Sequence, residues 1–215
     1  MKPLIIKFQK RLFRVSSFIL LFISWYIFCD LLKLVSPLLL PPISEVIARF
    51  AFSVQSGELV VNCLGTFHRW LLGFCLGFLL GTVIGILMGF NRKLYLFFEL
   101  PLEFFRAMPV TAIFPLFLML FGIGDMAKIA MAAFPTCLLM IVNSAYGVFN
   151  VTPERRKVAR VFGATSMQII RKVVLPEALP QVFIGLRLSL SLSLIVAVVS
   201  EMFIGTDIGI GQRIY

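Results

Sequence analysis

Residues 70–90 read WLLGFCLGFLLGTVIGILMGF, a run of 21 positions without a charged side chain. An α-helix needs about 20 apolar residues to cross the hydrocarbon core of a bilayer, so this run predicts a transmembrane helix. Its glycines recur every four residues from Gly73 to Gly89 and share one face of such a helix. Small residues on one face let a second helix approach to backbone distance. The stripe therefore predicts close helix packing rather than chemistry.

The composition of the whole chain is that of a membrane protein. Of its 215 residues, 60% are hydrophobic and 14% are charged, and the mean hydropathy is +1.01. Soluble domains average about 45–50% apolar and about 25% charged residues, so an ordinary water-soluble domain is excluded. Disorder is excluded as well, because it requires low hydrophobicity and high charge. We therefore expect an all-α integral membrane protein.

Basic residues outnumber acidic ones by 20 to 10, which gives a net charge of +10. Nucleic-acid binding is a competing explanation, but it needs a soluble basic face with stacking aromatic residues, which is missing here. The four cysteines are far apart and form no CxxC pair, and His68 is the only histidine. A metal site would lack its usual ligands, and a membrane enzyme would need a nucleophile with a base or paired carboxylates. The sequence thus predicts no disulfide, metal site or catalytic residue.

Five apolar runs predict five membrane spans, at about residues 15–35, 70–90, 107–124, 129–153 and 182–204. With the N-terminus inside, 13 lysines and arginines fall in cytoplasmic segments and 5 in outer segments, and this bias sets the orientation. Residues 1–14 are then a cytoplasmic N-terminus and residues 15–215 a transmembrane domain. The end of the fifth span leads into a glycine-rich stretch that is typical of a loop, so we expect a further span that this sequence lacks.

The predicted outer segment, residues 36–69, contains a short amphipathic helix. Pro41 and Pro42 precede Ser44 and Glu45, which we interpret as the N-cap and a first-turn acid. The apolar face of this helix carries Val46, Ile47, Phe50 and Ala51. Such a helix can lie at the membrane interface, or it can pack on neighbouring spans; the sequence leaves both open.

The third predicted span contains Pro109 and Pro115, and each removes one helical hydrogen bond. We expect a kink or local unwinding there, either in a packing helix or in a wall of a transport path at residues 106–116. Polar groups at membrane depth are costly and often line polar cavities. On that ground the candidate path residues are Arg106, Pro109, Thr111, Asn143 and Glu201. Arg106 can attract an anion or extend to lipid headgroups, and Glu201 can equally lie at the outer interface.

The cytoplasmic segment, residues 150–181, predicts two short helices joined at a glycine. Thr152 suits an N-cap with Pro153 next to it, and Gly163 suits the left-handed helix end. Thr165 and Gln168 have capping-box spacing for the second helix, and we expect the prolines at 176 and 180 to close that helix. Six lysines and arginines flank the pair. It can dock on another protein, or it can lie on anionic lipid.

The residues of this segment resemble the EAA loop of bacterial ABC importer permeases. Lys157-Val158-Ala159 is followed by Gly163, and nine residues later by a segment ending in Leu175-Pro176. The family pattern is E-A-A, three residues, G, nine residues, I-x-L-P. Here Lys157 and Val158 replace the usual Glu and first Ala. Three further segments are similar to the nitrate/sulfonate/taurine branch of the family: Pro41 to Val46, Pro109 to Leu116 followed by Phe121 to Asp125, and Glu201 followed by Gly209-Ile210-Gly211.

The resemblance implies a non-catalytic permease subunit of an ATP-driven importer in the bacterial inner membrane. Family members usually have a six-helix core, so the five spans seen here would lack the last one. The implied partners are ATP-binding subunits, a second permease subunit, most simply a second copy, and an extracytoplasmic binding protein. This chain has no GxxxxGK[ST] motif, so ATP is bound by the partner and we expect no cofactor in the chain itself.

The implied function is passage of a small anionic solute, such as a sulfonate, nitrate or taurine. The residues implied for coupling to the ATPase are Lys157, Val158, Ala159, Phe162, Gly163, Leu175 and Pro176. An ion channel or a structural membrane subunit is the alternative; it explains the spans but not the glycine-centred helix pair. Co-purification of an ATPase subunit would separate the two.

Overall fold

The structure, a computed structural model, describes residues 13, 16–32, 34, 36–37 and 39–214. Most of the basic N-terminal segment used to predict the orientation lies outside the described residues. The chain divides into two compact units, one up to Val60 and one from Val61 onward. Eight α-helices and no strand are found in the described part. They are α1 (Ser16–Leu31, ending in a π-helical turn), α2 (Ile43–Gln55), α3 (Glu58–Phe90), α4 (Arg92–Ala107), α5 (Phe114–Phe121), α6 (Asp125–Phe149), α7 (Pro153–Val161) and α8 (Ser166–Ile204).

The all-α membrane fold predicted from the composition is confirmed. By length and apolar composition, α3, α6 and α8 can each cross a membrane, and α1 is a shorter apolar helix within the first predicted span. The helix α4 and the segment Val110–Phe121 meet at a bend of 97° and would together make a fourth crossing. Each of the five predicted spans therefore overlaps one of these apolar segments.

The third predicted span, residues 107–124, is not a straight helix. Met108 is extended, with φ −72° and ψ 134°, and a short 3₁₀ turn, Val110–Ile113, separates α4 from α5. Steric contact with a proline ring disfavours the helical region for the preceding residue, and Pro109 follows Met108 directly. The expected break at the prolines is thus confirmed.

In the first unit, α2 begins at a different residue from the one predicted. Pro42, not Ser44, is the N-cap. The carboxylate of Asp30 at the end of α1 accepts hydrogen bonds from the Ile43 N–H at 3.0 Å and from the Ser44 hydroxyl at 2.8 Å. An acid from another helix therefore satisfies the free N–H groups that a cap residue usually serves. None of the residues of α2 is buried.

The glycine stripe of α3 packs directly on α6, as predicted. A β-carbon on Gly73, Gly77, Gly81 or Gly85 would come within 2.3–2.6 Å of a carbonyl oxygen of α6. Those oxygens belong to residues 129, 133, 137 and 141 and therefore share the four-residue spacing of the glycines. The two helices are in backbone contact over four turns, which is possible only because this face carries no side chains.

The helix α6 is the centre of the second unit. In its most apolar window 61% of the residues are buried, against 33% in α3 and in α8. On one side, Tyr95 and Leu102 of α4 pack against α6, and on another, Phe114 and Phe117 of α5 pack with Met131. The helix α8 also packs closely on α6, since a β-carbon on Gly185 would be 2.7 Å from Cβ of Asn143.

The prediction that Pro176 and Pro180 close the second cytoplasmic helix is wrong, because α8 continues through both to Ile204. A π-helical turn, Ile170–Val174, precedes Pro176, which therefore occupies the first turn of the following α-helical part. Proline is well tolerated in a first turn. Inside membrane proteins an interior proline such as Pro180 is also tolerated, because neighbouring groups satisfy the freed carbonyl.

Candidate functional site

The two cytoplasmic helices predicted around Gly163 form a hairpin of α7 and the first turns of α8. Gly163 has a φ of +77°, and its N–H donates to the carbonyl of Arg160 at 2.9 Å. The capping box is present in both directions, because the Thr165 hydroxyl accepts from the Gln168 N–H and the Gln168 side chain accepts from the Thr165 N–H. A glycine in the left-handed region and a reciprocal cap fix the turn from both sides.

One side of the hairpin is packed and the other is free. Buried apolar side chains hold it to the end of α6, and Ala159 packs against them; the buried set is Val148, Val151, Ile169, Val174 and Ala178. At the tip, Val161 and Phe162 are 86% and 84% exposed. Lys157, Val158 and Pro176 are also exposed, and Leu175 is half-buried. The hairpin thus presents an apolar tip on a well-packed base.

A polar junction that the sequence interpretation missed fixes the base of the hairpin. The Glu177 carboxylate of α8 accepts a hydrogen bond from the Thr152 hydroxyl at 2.9 Å and pairs with Arg155 at 3.3 Å. On the other side, Arg156 donates to the carbonyl of Val148 at the end of α6, at 2.7 Å. Thr152 is the N-cap of α7, as predicted, but its hydroxyl serves Glu177 instead of its own helix. Thr152 and Glu177 are 25 positions apart, so no local sequence pattern indicates that they interact.

The bend after α4 opens onto a cavity of about 280 Å³. Arg106 lines it and pairs with Glu103, three residues earlier on the same helix. The rest of the lining is largely apolar and comes from the bend, α6 and α8: Phe105, Ala107, Met108, Val110, Phe134, Pro135, Leu138, Leu139 and Leu192. Pro109 and Thr111 lie exposed at the bend and are not part of the lining. The spacing of Glu103 and Arg106 was a signal for this pair that the sequence interpretation did not use.

The other two predicted path residues lie apart from this cavity. Asn143 is half-buried on α6, where it donates to the Leu139 carbonyl at 2.8 Å and accepts from the Gln181 side chain at 3.1 Å. It therefore bridges α6 to α8. Glu201, near the end of α8, is completely buried.

Glu201 is the centre of a buried ion cluster. Arg69 of α3 donates to Glu201 at 2.8 Å and to Asp125 of α6 at 2.7 Å, and the Thr66 hydroxyl donates to Glu201 at 2.8 Å. The orientation count placed Arg69 in an outer loop, but α3 begins at Glu58 and carries Arg69 into the protein. Among the described residues, no group of three or more histidines, cysteines and acids could hold a metal ion.

The same cluster holds the glycine-rich segment that follows α8. The Gly211 N–H donates to Glu201 at 3.1 Å, and the Gly209 N–H donates to Asn62 at 2.9 Å. A β-carbon on Gly209 would be 2.6 Å from the Glu201 carboxylate. Gly209 and Gly211 therefore have a structural role. Because they have no side chains, the backbone of this segment can come into contact with the Glu201 carboxylate.

Comparisons with known proteins agree with this architecture. Residues 77–215 match the family of the binding-protein-dependent transport system inner membrane component. The chain belongs to this family. A protein of Bacillus subtilis named as the aliphatic sulfonates transport permease SsuC is 36% identical over 183 residues, which are 85% of this chain and 66% of that protein. This relative supports the predicted nitrate/sulfonate/taurine branch.

One further relative and one solved structure are also similar to this chain. The riboflavin transport system permease protein RibX of Chloroflexus aurantiacus is 38% identical over 82% of this chain and 65% of its own length. A chain in a solved structure of inward-facing conformations of the MetNI methionine ABC transporter matches with a TM-score of 0.60 and 25% identity, over 72% of this chain and 77% of that chain. This permease spans about two thirds of the length of the sulfonate and riboflavin relatives.

Proposed function

We propose that this permease is the membrane subunit of an ATP-driven importer and carries a small anionic solute inward. A pair of permease subunits, most simply two copies of this chain, forms the path. ATP-binding subunits receive the hairpin of α7 and α8, and an extracytoplasmic binding protein delivers the solute. The N-terminus and the hairpin face the cytoplasm, in agreement with the distribution of lysines and arginines.

The exposed tip of the hairpin is the observation that carries this proposal. Val161 and Phe162 are almost fully exposed at a turn that Gly163 and the Thr165–Gln168 cap hold in one shape. Large exposed apolar side chains on a well-ordered turn are typical of a protein-binding surface. An ATPase subunit that receives this tip would move α6 and α8 with it, because the base of the hairpin is bound to both helices. Predicted contact residues are Lys157, Val158, Ala159, Phe162, Gly163, Leu175 and Pro176.

Replacement of the tip tests the proposed coupling. We expect Phe162→Asp to abolish co-purification of the ATP-binding subunit, because a charge would have to enter an apolar contact. The matched control is Ile123→Asp, since Ile123 is 86% exposed in the loop before α6. If Phe162→Asp retained the ATPase as well as the control does, the coupling role would be wrong and a channel or structural subunit would be favoured.

The anionic solute is supported by the sulfonate relative and by Arg106, the cation at the cavity beside the bend. The riboflavin relative favours a larger, neutral solute instead. ATP-driven uptake by the assembled importer in proteoliposomes would decide between them, with radiolabelled ethanesulfonate and riboflavin as the two probes. Uptake of riboflavin without uptake of ethanesulfonate or another small anion would overturn the anionic assignment.

A further inference from the structure

Four of the five charged side chains of α4, all but Lys93, form a stripe of which the proposed function has used only Arg106. The stripe begins at Arg92. Glu99, Glu103 and Arg106 follow it by 7, 11 and 14 residues. At 3.6 residues per turn, these offsets place all four within about 60° of one another around the helix. Two of the charges are positive and two are negative, so the stripe is polar without a net charge.

The contacts between α4 and α6 show how deep this stripe reaches. The ring of Tyr95 is 5.0 Å from the ring of Phe149 at the end of α6, and the ring of Phe105 is 5.8 Å from that of Phe134. The two helices therefore run side by side in opposite directions. Arg106 shares its cavity with Pro135, which lies ten residues after the start of α6 and fourteen before its end. The Glu103–Arg106 pair thus lies near half the height of a membrane-crossing helix.

Charges at that depth need water or a protein partner. A charged side chain facing lipid at the centre of a bilayer costs at least about 2.5–3.5 kcal/mol. Yet the Glu103 side chain is 56% exposed and that of Arg106 is 33% exposed, so the described residues leave much of the pair uncovered. Exposed side chains on the adjacent face of α4 are apolar, among them Leu100 and Phe104. The helix therefore has one face suited to lipid and another suited to water.

Two cavities open along the charged face. One, of about 280 Å³, is lined by Glu103 and Arg106, and the other, of about 210 Å³, is lined by Arg92 and Glu99. Each can hold several water molecules, since a water occupies about 30 Å³ in the liquid. Water-sized space therefore accompanies the stripe from the start of α4 to the bend.

We propose that the charged face of α4 is a wall of the water-filled translocation path, and that the Glu103–Arg106 pair contacts the solute at half depth. This inference rests on the proposed function and assigns three residues, Arg92, Glu99 and Glu103, that no sequence signal had linked to transport. The anionic group of the solute replaces the Glu103 carboxylate as the partner of Arg106, so the site takes small hydrophilic anions. A guanidinium suits this exchange, because it binds carboxylate, sulfonate and similar oxyanions through the same pair of N–H groups.

Cysteine labelling tests the wall directly. Single cysteines are introduced at Glu103 and Glu99, and at their sequence neighbours Phe104 and Leu100, in a chain whose own cysteines are replaced by serine. The controls lie at nearly the same depth and are 61% and 81% exposed, so simple exposure does not favour the test positions. The chain is assembled with its ATPase and binding protein in proteoliposomes and treated with the impermeant anion 2-sulfonatoethyl methanethiosulfonate.

Because the thiolate reacts and lipid strongly disfavours it, we expect Glu103→Cys to be labelled at least about tenfold faster than Phe104→Cys, and Glu99→Cys faster than Leu100→Cys. ATP-driven solute uptake is measured on the cysteine-free parent. Equal labelling in an importer that transports would overturn the wall assignment alone. Fast labelling in an assembly without uptake would overturn the proposed function, and the assignment of this face to a transport path with it.

Discussion

Glu201 and Arg69 are the residues on which the order of the buried ion cluster most depends. Glu201 is completely buried, and its charge is balanced by Arg69 at 2.8 Å. Removing one partner of a buried ion pair typically costs about 3–5 kcal/mol when the other charge is left unpaired. Here Arg69 would keep only Asp125, whose side chain is 55% exposed, so the cost is smaller. We expect Glu201→Gln to lower the melting temperature of the detergent-solubilised protein. Melting is followed by size-exclusion chromatography after heating.

The control for this variant is Glu103→Gln, which breaks the exposed pair with Arg106. Exposed pairs contribute about 0–1 kcal/mol, so its melting temperature should stay close to that of the parent. If Glu201→Gln melted no earlier than Glu103→Gln, the cluster would not be holding the segment after α8. Hydropathy could not have found this cluster, because Arg69 is separated by 56 residues from Asp125 and by 132 from Glu201 along the chain.

The backbone conformation of Gly163 leads to a prediction about the hairpin turn. Its φ is +77°, and a β-carbon there would meet nothing within 4 Å. A substitution therefore costs only backbone strain, about 1–2 kcal/mol for most residues and less for Asn. We expect Gly163→Val to reduce ATP-driven uptake, because it distorts the hairpin, and Gly163→Asn to retain most of it.

The matched control is Gly57→Val, at a glycine outside the hairpin with a φ of +75° and equally open surroundings, whose N–H, like that of Gly163, donates to the carbonyl three residues earlier. Both valine variants carry the same kind of strain, so a general loss of folding would affect them alike. Equal uptake by the two valine variants would contradict a special role for the hairpin turn.

At the scale of elements, the contact of α3 with α6 depends on the absence of side chains. A β-carbon on Gly81 would be 2.5 Å from the carbonyl oxygen of Cys137, which belongs to the backbone and cannot rotate away. Overpacking of this kind costs about 1–3 kcal/mol, and no side-chain change on α6 can compensate for it. We expect Gly81→Ala to lower the melting temperature, whereas Leu80→Ala, at an exposed neighbour, leaves it nearly unchanged. A Gly81→Ala variant as stable as Leu80→Ala would mean that the helices separate at little cost.

Elements governed by short-range chemistry could be predicted from the sequence, and those governed by tertiary contacts could not. The Thr165–Gln168 cap joins residues three apart, and the break at Pro109 follows from one ring. The end predicted at Pro176 and Pro180 was wrong, because Pro176 lies in the first turn of an α-helical part, and an interior proline such as Pro180 is tolerated in a membrane helix. The start of α3 was placed too late, since polar residues before Trp70 lower the hydropathy of that stretch, although Arg69 among them is paired in the fold.

At the scale of the second unit, the hairpin is a lever with two attachments. Glu177 ties it to α8 through Thr152, and Arg156 ties it to α6 through the Val148 carbonyl. In the proposed importer, a movement of the tip would therefore be passed to two membrane helices that are themselves in close contact. This connection requires no deformation of the hairpin, because its base is packed and both of its ends are held.

The lever predicts that Glu177→Ala separates ATP hydrolysis from transport. Without the carboxylate, Thr152 and Arg155 lose their partner on α8, while the tip that would meet the ATPase is unchanged. We expect the ATPase rate in proteoliposomes to persist and the amount of solute imported per ATP to fall several-fold.

Glu154→Ala is the control, since Glu154 is an exposed acid in the first turn of α7. Glu177→Gln keeps an acceptor for the Thr152 hydroxyl and should recover part of the ratio. An unchanged ratio in Glu177→Ala would mean that the motion reaches the membrane helices through the packed apolar base instead.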